Sequence, residues 1–265
     1  MMPESPPLLT HPLQSPSAFT PERLMDAVRA ERGLQPQPVP PLCVLDFDGD
    51  LADHLAEQHI SSSWSRWACF HTSMRVATIA GVPCGIVPRT IGGPYAVLIS
   101  EQLRAAGAKP IVGLTSAGRV SPNLPLPSIV VVNGAIRDEG TSLHYMSPFA
   151  AIRTPTADAV EPLIAELSAV ASHVRQGRVW TTDAPYRETR QQLDHWAKQD
   201  VLAVEMQAAS MFAFAYARGA AVAVIALVSN SVDQTASGFD TGGNQFRVDV
   251  LTAIARAAAR YLRKD

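Results

Sequence analysis

The sequence predicts an α/β protein built on a mixed, largely parallel sheet with helices on both faces. Three observations predict it. Short β-branched runs alternate with helical segments along most of the chain, several of those helices close at a glycine, and Gly-rich or polar stretches recur where the strands end. With 265 residues, 47% of them hydrophobic, the chain is long enough to bury a core as one large domain. Residues 1–38 read as an N-terminal extension, partly disordered, and residues 39–265 as the domain.

Taken in order, the prolines and serines of the first 19 residues form a loose lead-in without the basic flank and apolar run of a signal peptide. From about Thr20 to Leu34 the apolar positions Leu24, Met25, Val28 and Leu34 mark a modest amphipathic helix opened by Thr20-Pro21. Pro40–Phe47 is a buried strand running into the Gly-centred turn Asp48-Gly49-Asp50. Further strands are expected at Met74–Ile79, Val82–Pro88, Ile111–Thr115, Ser128–Asn133, Val179–Thr182, Val201–Val204 and Val222–Ser229. Helices are expected at Pro94–Ala106 (closed by Gly107), Ala157–Gln176 (Gly177), Gln207–Arg218 (Gly219) and Phe246–Arg263.

Composition narrows the partner. Lys and Arg number 22 against 24 Asp and Glu, a net charge of −2, so nothing draws the chain to a nucleic-acid backbone or an anionic membrane. No segment has the roughly 18 uninterrupted apolar residues of a membrane span. Cys43, Cys69 and Cys84 show neither zinc-ligand nor disulfide spacing and read as buried small apolar residues in a reducing, cytoplasmic setting. A small-molecule partner is expected.

Loops at strand ends are where α/β sheets gather ligand contacts, and six polar segments fall there. Ile91-Gly92-Gly93-Pro94 allows close backbone approach at a helix start, with Arg89 upstream as either an anion ligand or a solvated charge. Leu114-Thr115-Ser116-Ala117-Gly118 offers two hydroxyls and backbone amides suited to phosphate or sugar oxygens, or forms a plain turn. Arg137-Asp138-Glu139-Gly140 crowds both signs of charge around one glycine, as a site or subunit interface does. The stretch Trp180 to Thr189, with Asp183, Tyr186, Arg187 and Glu188, combines an aromatic ring with groups that hydrogen-bond a heterocycle's edge. Glu205-Met206-Gln207, where a buried strand turns into an Ala-rich helix, pairs two polar groups with a flat apolar one, matching the hydroxyls and face of a ribose or else a structural network. Asn230 follows the last apolar run, within reach of a leaving base, although Ser231 or Asp233 there also suits a helix cap.

In order, IGGP, TSAG, NGAIRDEGTSLHY, WTTDAPYRET, AVEMQAA and VSNSVDQ resemble the successive motifs of the purine and uridine phosphorylase superfamily, which also contains methylthioadenosine and adenosylhomocysteine nucleosidases. The resemblance runs from about Leu42 to the C-terminus. It implies a three-layer α/β/α fold and a homo-oligomer whose neighbouring subunit completes the pocket. It also implies phosphorolysis of a nucleoside at its N-glycosidic bond, with inorganic phosphate as co-substrate and no cofactor or metal. Motif by motif it assigns ribose contacts to Glu205, Met206 and Gln207, base contacts to Asp183, Tyr186, Arg187 and Glu188, and leaving-base stabilisation to Asn230. Thr115 and Ser116 fall to phosphate or ribose, and Gly49 in its turn and Arg89 as a replacement cation complete the phosphate candidates.

The chain departs from the pattern at four positions. Gln207 replaces a glutamate and Asn230 the aspartate of purine-acting members, so the ribose bond is uncharged and the purine nitrogen has no proton donor. Gly113 and Asp53 stand where phosphorylases carry phosphate-binding arginines. On the order of the motifs phosphorolysis leads, and these departures open phosphate-independent hydrolysis or nucleoside binding without catalysis as the alternatives.

Overall fold

The protein was analysed as a computed structural model, which describes residues 7–10, 12–231 and 243–263, and the side chains of all of these except 157–160. Asp233, Gln234 and the start of the N-terminal extension lie outside the described residues. The strands are β1 (Leu42–Asp46), β2 (Ser62–Ser63), β3 (Arg75–Ile79), β4 (Val82–Pro88), β5 (Pro110–Arg119), β6 (Ser128–Asp138), β7 (Ala151–Arg153), β8 (Val174–Thr182), β9 (Val201–Glu205) and β10 (Ala221–Ser231). The helices are α1 (Pro21–Arg32), α2 (Asp50–Glu57), α3 (Gly93–Ala105), α4 (Ala157–Leu167), α5 (Arg190–Ala197), α6 (Ala208–Arg218) and α7 (Asn244–Leu262).

All the strands join one mixed sheet in the order β10-β6-β8-β9-β5-β1-β4-β3-β2, with β7 on β6. The long registers, β5 with β10 and β6 with β8, are parallel, whereas β6 with β10 and β5 with β9 are antiparallel. Because β5 pairs with both β10 and β9, the strands β5, β10, β6, β8 and β9 close into a ring. Closure brings the ends of β5, β9 and β10 side by side: Asn230 is in register with Gly118, and Gly118 with Val204.

Strand alternation divides the interior into the expected layers. Cys43 and Leu45 of β1, with Val222, Val224 and Ala226 of β10, face a core shared with α1, α3 and α6. Leu42 and Val44, with Ala223, Ile225 and Leu227, face the core of α2, α4 and α7. Helix α1 starts where Thr20 Oγ1 accepts from Arg23 N–H and stops at left-handed Gly33, and its Met25 and Val28 are buried in the first of these cores.

Three expectations need correction. The helix expected over Ala157–Gln176 ends at Leu167, and the chain re-enters the sheet as β8 at Val174. Gly177 closes no helix: a Cβ there would lie 2.3 Å from Leu202 Cδ1, so glycine lets β9 approach. The TSAG segment is neither loop nor turn, since β5 continues through it to Arg119. Helices α2 and α5 were not anticipated, and α5 is held by a reciprocal cap between Thr189 and Gln192.

Candidate functional site

The candidate site lies where β5, β8, β9 and β10 end, around the junction of β9 with α6. Glu205, the last residue of β9, is 4% exposed. Its Oε2 accepts from the N–H groups of Gln207 (2.7 Å) and Ala208 (2.8 Å), and Oε1 from Thr181 Oγ1 at 2.5 Å. The carboxylate thus caps α6, where unpaired N–H groups and the helix dipole favour negative charge, and ties it to β8. Gln207 is equally buried, and its Oε1 accepts from Thr115 Oγ1 (3.3 Å) and Met206 N–H (3.2 Å). Met206 stands half-buried between them.

Burial outweighs these hydrogen bonds in setting the Glu205 carboxyl, which is pushed up to about 7 from 4.5. Asp46, at the end of β1, is raised to about 6 from 3.8, again mainly by burial. A carboxyl whose pKa is raised by folding contributes stability that is complete below its unfolded value and is lost as pH rises through the folded one. Thermal melts should therefore show Tm falling as pH rises from 5 to 8. Glu205→Gln should flatten the upper part of that fall, since a glutamine oxygen still accepts from Gln207 and Ala208 while its NH2 faces Thr181. A flat Tm across this range in the unsubstituted protein would show that neither carboxyl is raised.

The segment expected to hold phosphate has an unusual charge arrangement. Gly49 caps α2 with φ +93°, and a Cβ on it would come 2.7 Å from Arg89 Cγ. Arg89, after β4, pairs with Asp53 through both guanidinium Nη atoms. Ser116 donates from both N–H (3.0 Å) and Oγ (2.6 Å) to Asp48 Oδ2. Arg247 of α7, fully buried, places Nη2 3.3 Å from Ser116 Oγ, 3.7 Å from Asp48 Oδ2 and 3.3 Å from Asp50 Oδ2. At Gly113 there is no room for a side chain: a Cβ would lie 2.8 Å from the Phe47 ring and 3.2 Å from Met211 Sδ. Arg119 is turned to the Leu124 carbonyl at 3.4 Å.

The residues expected to contact a base are spread over the rim. Asp183 Oδ2 accepts from Gly140 N–H at 2.9 Å, Arg187 is exposed, and Tyr186 is 100% exposed. Glu188 is half-buried, and its carboxyl is pushed up to about 7 by burial. Asn230 follows an irregularity in β10 that shifts its register against β5, and its Nδ2 donates to Ser229 Oγ at 3.2 Å.

Of the residues picked out in the sequence, Thr115 and Gln207 meet directly, Gly49 and Arg89 adjoin, and Ser116 is joined to Asp48. Asp46, Thr181 and Arg247 were not singled out, and Asp48 was named only as part of the Gly-centred turn. Arg247 did leave a signal: it shares the helical stripe of Val250, Leu251 and Ile254, where a solvated charge is out of place.

The family model described as the Phosphorylase superfamily matches residues 42–264. Among curated relatives, a guanosine phosphorylase of Halorubrum lacusprofundi is 29% identical over 59% of this chain and 64% of its own length. A uridine phosphorylase of Thermococcus kodakarensis is 34% identical over 33% of each chain. The chain thus matches less than two thirds of either relative's length. The crystal structure of uridine phosphorylase from Vibrio fischeri superposes with a TM-score of 0.69 at 22% identity, over 86% of this chain and 94% of that one. This likeness establishes the fold.

Proposed function

The chain belongs to the phosphorylase superfamily, and on that premise we propose that it cleaves the N-glycosidic bond of a nucleoside with inorganic phosphate, yielding free base and a pentose 1-phosphate. The names of the relatives support the reaction class. The observation that carries the residue assignment is the buried junction of Glu205, Met206 and Gln207 with Thr115, which sets an apolar face beside hydrogen-bonding groups at the converging strand ends.

In this reading Met206 underlies the ribose and Gln207 bonds its hydroxyls. Glu205, with both oxygens engaged, acts by holding the start of α6. Asn230 donates to the departing base, and residues 183–188 border it. The bond breaks with oxocarbenium character at the sugar, so catalysis consists of positioning phosphate and stabilising charge on the base. Tyr186, fully exposed in the single chain, suits a rim completed by a neighbouring subunit in a homo-oligomer.

Hydrolysis is the second reading, favoured by one observation: the Ser116 donors are taken by an internal carboxylate. The reverse reaction separates the two. Free base with pentose 1-phosphate should give nucleoside and inorganic phosphate, and absence of nucleoside with every base offered would count against phosphorolysis.

A further inference from the structure

We infer that the Asp48 carboxylate is the resting occupant of an anion cradle built by Ser116 and Arg247, and that inorganic phosphate binds there by displacing it. The inference rests on the phosphorolysis reading and names the residues that hold its co-substrate. It begins from the donors. One oxygen of Asp48 accepts from both the N–H and the hydroxyl of Ser116, with Arg247 Nη2 3.7 Å away. A backbone amide, a hydroxyl and a guanidinium converging on one oxygen form an oxyanion site.

The second observation is independent of Asp48. Arg247 has no exposed surface, and its Nε and Nη1 have no hydrogen-bond partner among the described residues. A desolvated guanidinium with unused N–H groups is costly, and the contacts it makes, to Ser116, Asp48 and Asp50, all fall on Nη2. A tetrahedral anion brings more acceptor oxygens to the same place. Asp50 Oδ2, at 3.3 Å from Nη2, keeps the guanidinium paired while Asp48 is away.

The third observation is that Asp48 is placed to leave. Its side chain is 27% exposed, on the turn before Gly49, whereas Arg247 is enclosed. The alternative cation, Arg89, is already neutralised by Asp53, and no side chain fits at Gly113. Asp46 and Asp50 remain near the cradle, so the unsubstituted protein should bind phosphate weakly.

Calorimetric titration of inorganic phosphate into the full-length protein, without nucleoside, tests this. Asp48→Ala should tighten phosphate binding about tenfold or more, since a charge-assisted internal competitor is removed. Asp48→Asn should fall between the two. Adding Arg247→Lys to Asp48→Ala should abolish most of the gain, because an ammonium lacks the guanidinium's fork. No tightening in Asp48→Ala, or a gain that survives Arg247→Lys, would overturn the inference. If Asp48→Ala does not melt cooperatively, Asp48→Asn carries the test. Tightened binding without phosphorolysis in any variant would reject the proposed reaction and leave the cradle standing; phosphorolysis with no tightening would reject the cradle alone. Base release that needs no phosphate and disappears in Asp48→Ala would make the carboxylate a base for water and also overturn the inference.

Discussion

Replacing Arg247 with methionine should lower the unfolding free energy by about 1–3 kcal/mol, the usual cost of leaving a buried polar group without its partner. Methionine fills most of the volume but leaves Asp46, 0% exposed, without the nearby charge that favours its ionised form. Asp48 and Asp50 lose their shared counter-ion at the same time. Urea denaturation measures the effect, and Arg247→Lys, which keeps the charge, should cost less than Arg247→Met. A loss below about 1 kcal/mol in Arg247→Met, near the value of an exposed ion pair, would mean that the guanidinium does not hold the turn between β1 and α2.

The second large effect is catalytic. Asn230→Ala should lower kcat about a hundredfold while leaving KM for the nucleoside nearly unchanged, because a donor aimed at developing charge acts mainly in the transition state. Gln207→Ala should do the opposite, raising KM by about tenfold with a smaller change in kcat, since an uncharged hydrogen bond to the ribose is made in ground and transition states alike. The contrast rests on position. Gln207 is buried at the head of α6 with Thr115 as a neighbour, whereas Asn230 sits beyond the register shift of β10, level with Gly118. Unchanged kinetics in both variants would refute the assignments.

The layers and their order were legible because each face of a strand carries its own run of apolar residues. Leu42 and Val44 alternate with Cys43 and Leu45, and the same split runs along β10. Helix ends were read correctly where a side chain or glycine supplies the local chemistry, as at Thr20 and Gly219. Gly177 misled because a glycine after an apolar stretch looks like a cap when its actual reason, the Leu202 side chain of a neighbouring strand, is remote in sequence. Ring closure through Gly118 and Val204 was hidden for the same reason, since β5 and β9 pair across a long stretch of intervening chain that leaves no local pattern.

The site was legible only in part. Glu205, Gln207, Thr115 and Ser116 stood out as polar residues at strand ends, but whether Glu205 faces a ligand or a helix N-terminus is a matter of direction, and direction is set by packing. The missing arginines were visible at Gly113 and Asp53. The buried arginine that the structure brings beside Ser116 from α7, more than 120 residues along the chain, was not.

Release of free base from uridine, guanosine, inosine, adenosine and methylthioadenosine by the purified protein, each with and without inorganic phosphate, tests the central claim most directly. The account predicts release with at least one nucleoside only when phosphate is present, with pentose 1-phosphate formed in equal amount. Release at the same rate without phosphate, or no release from any of the five, would contradict it.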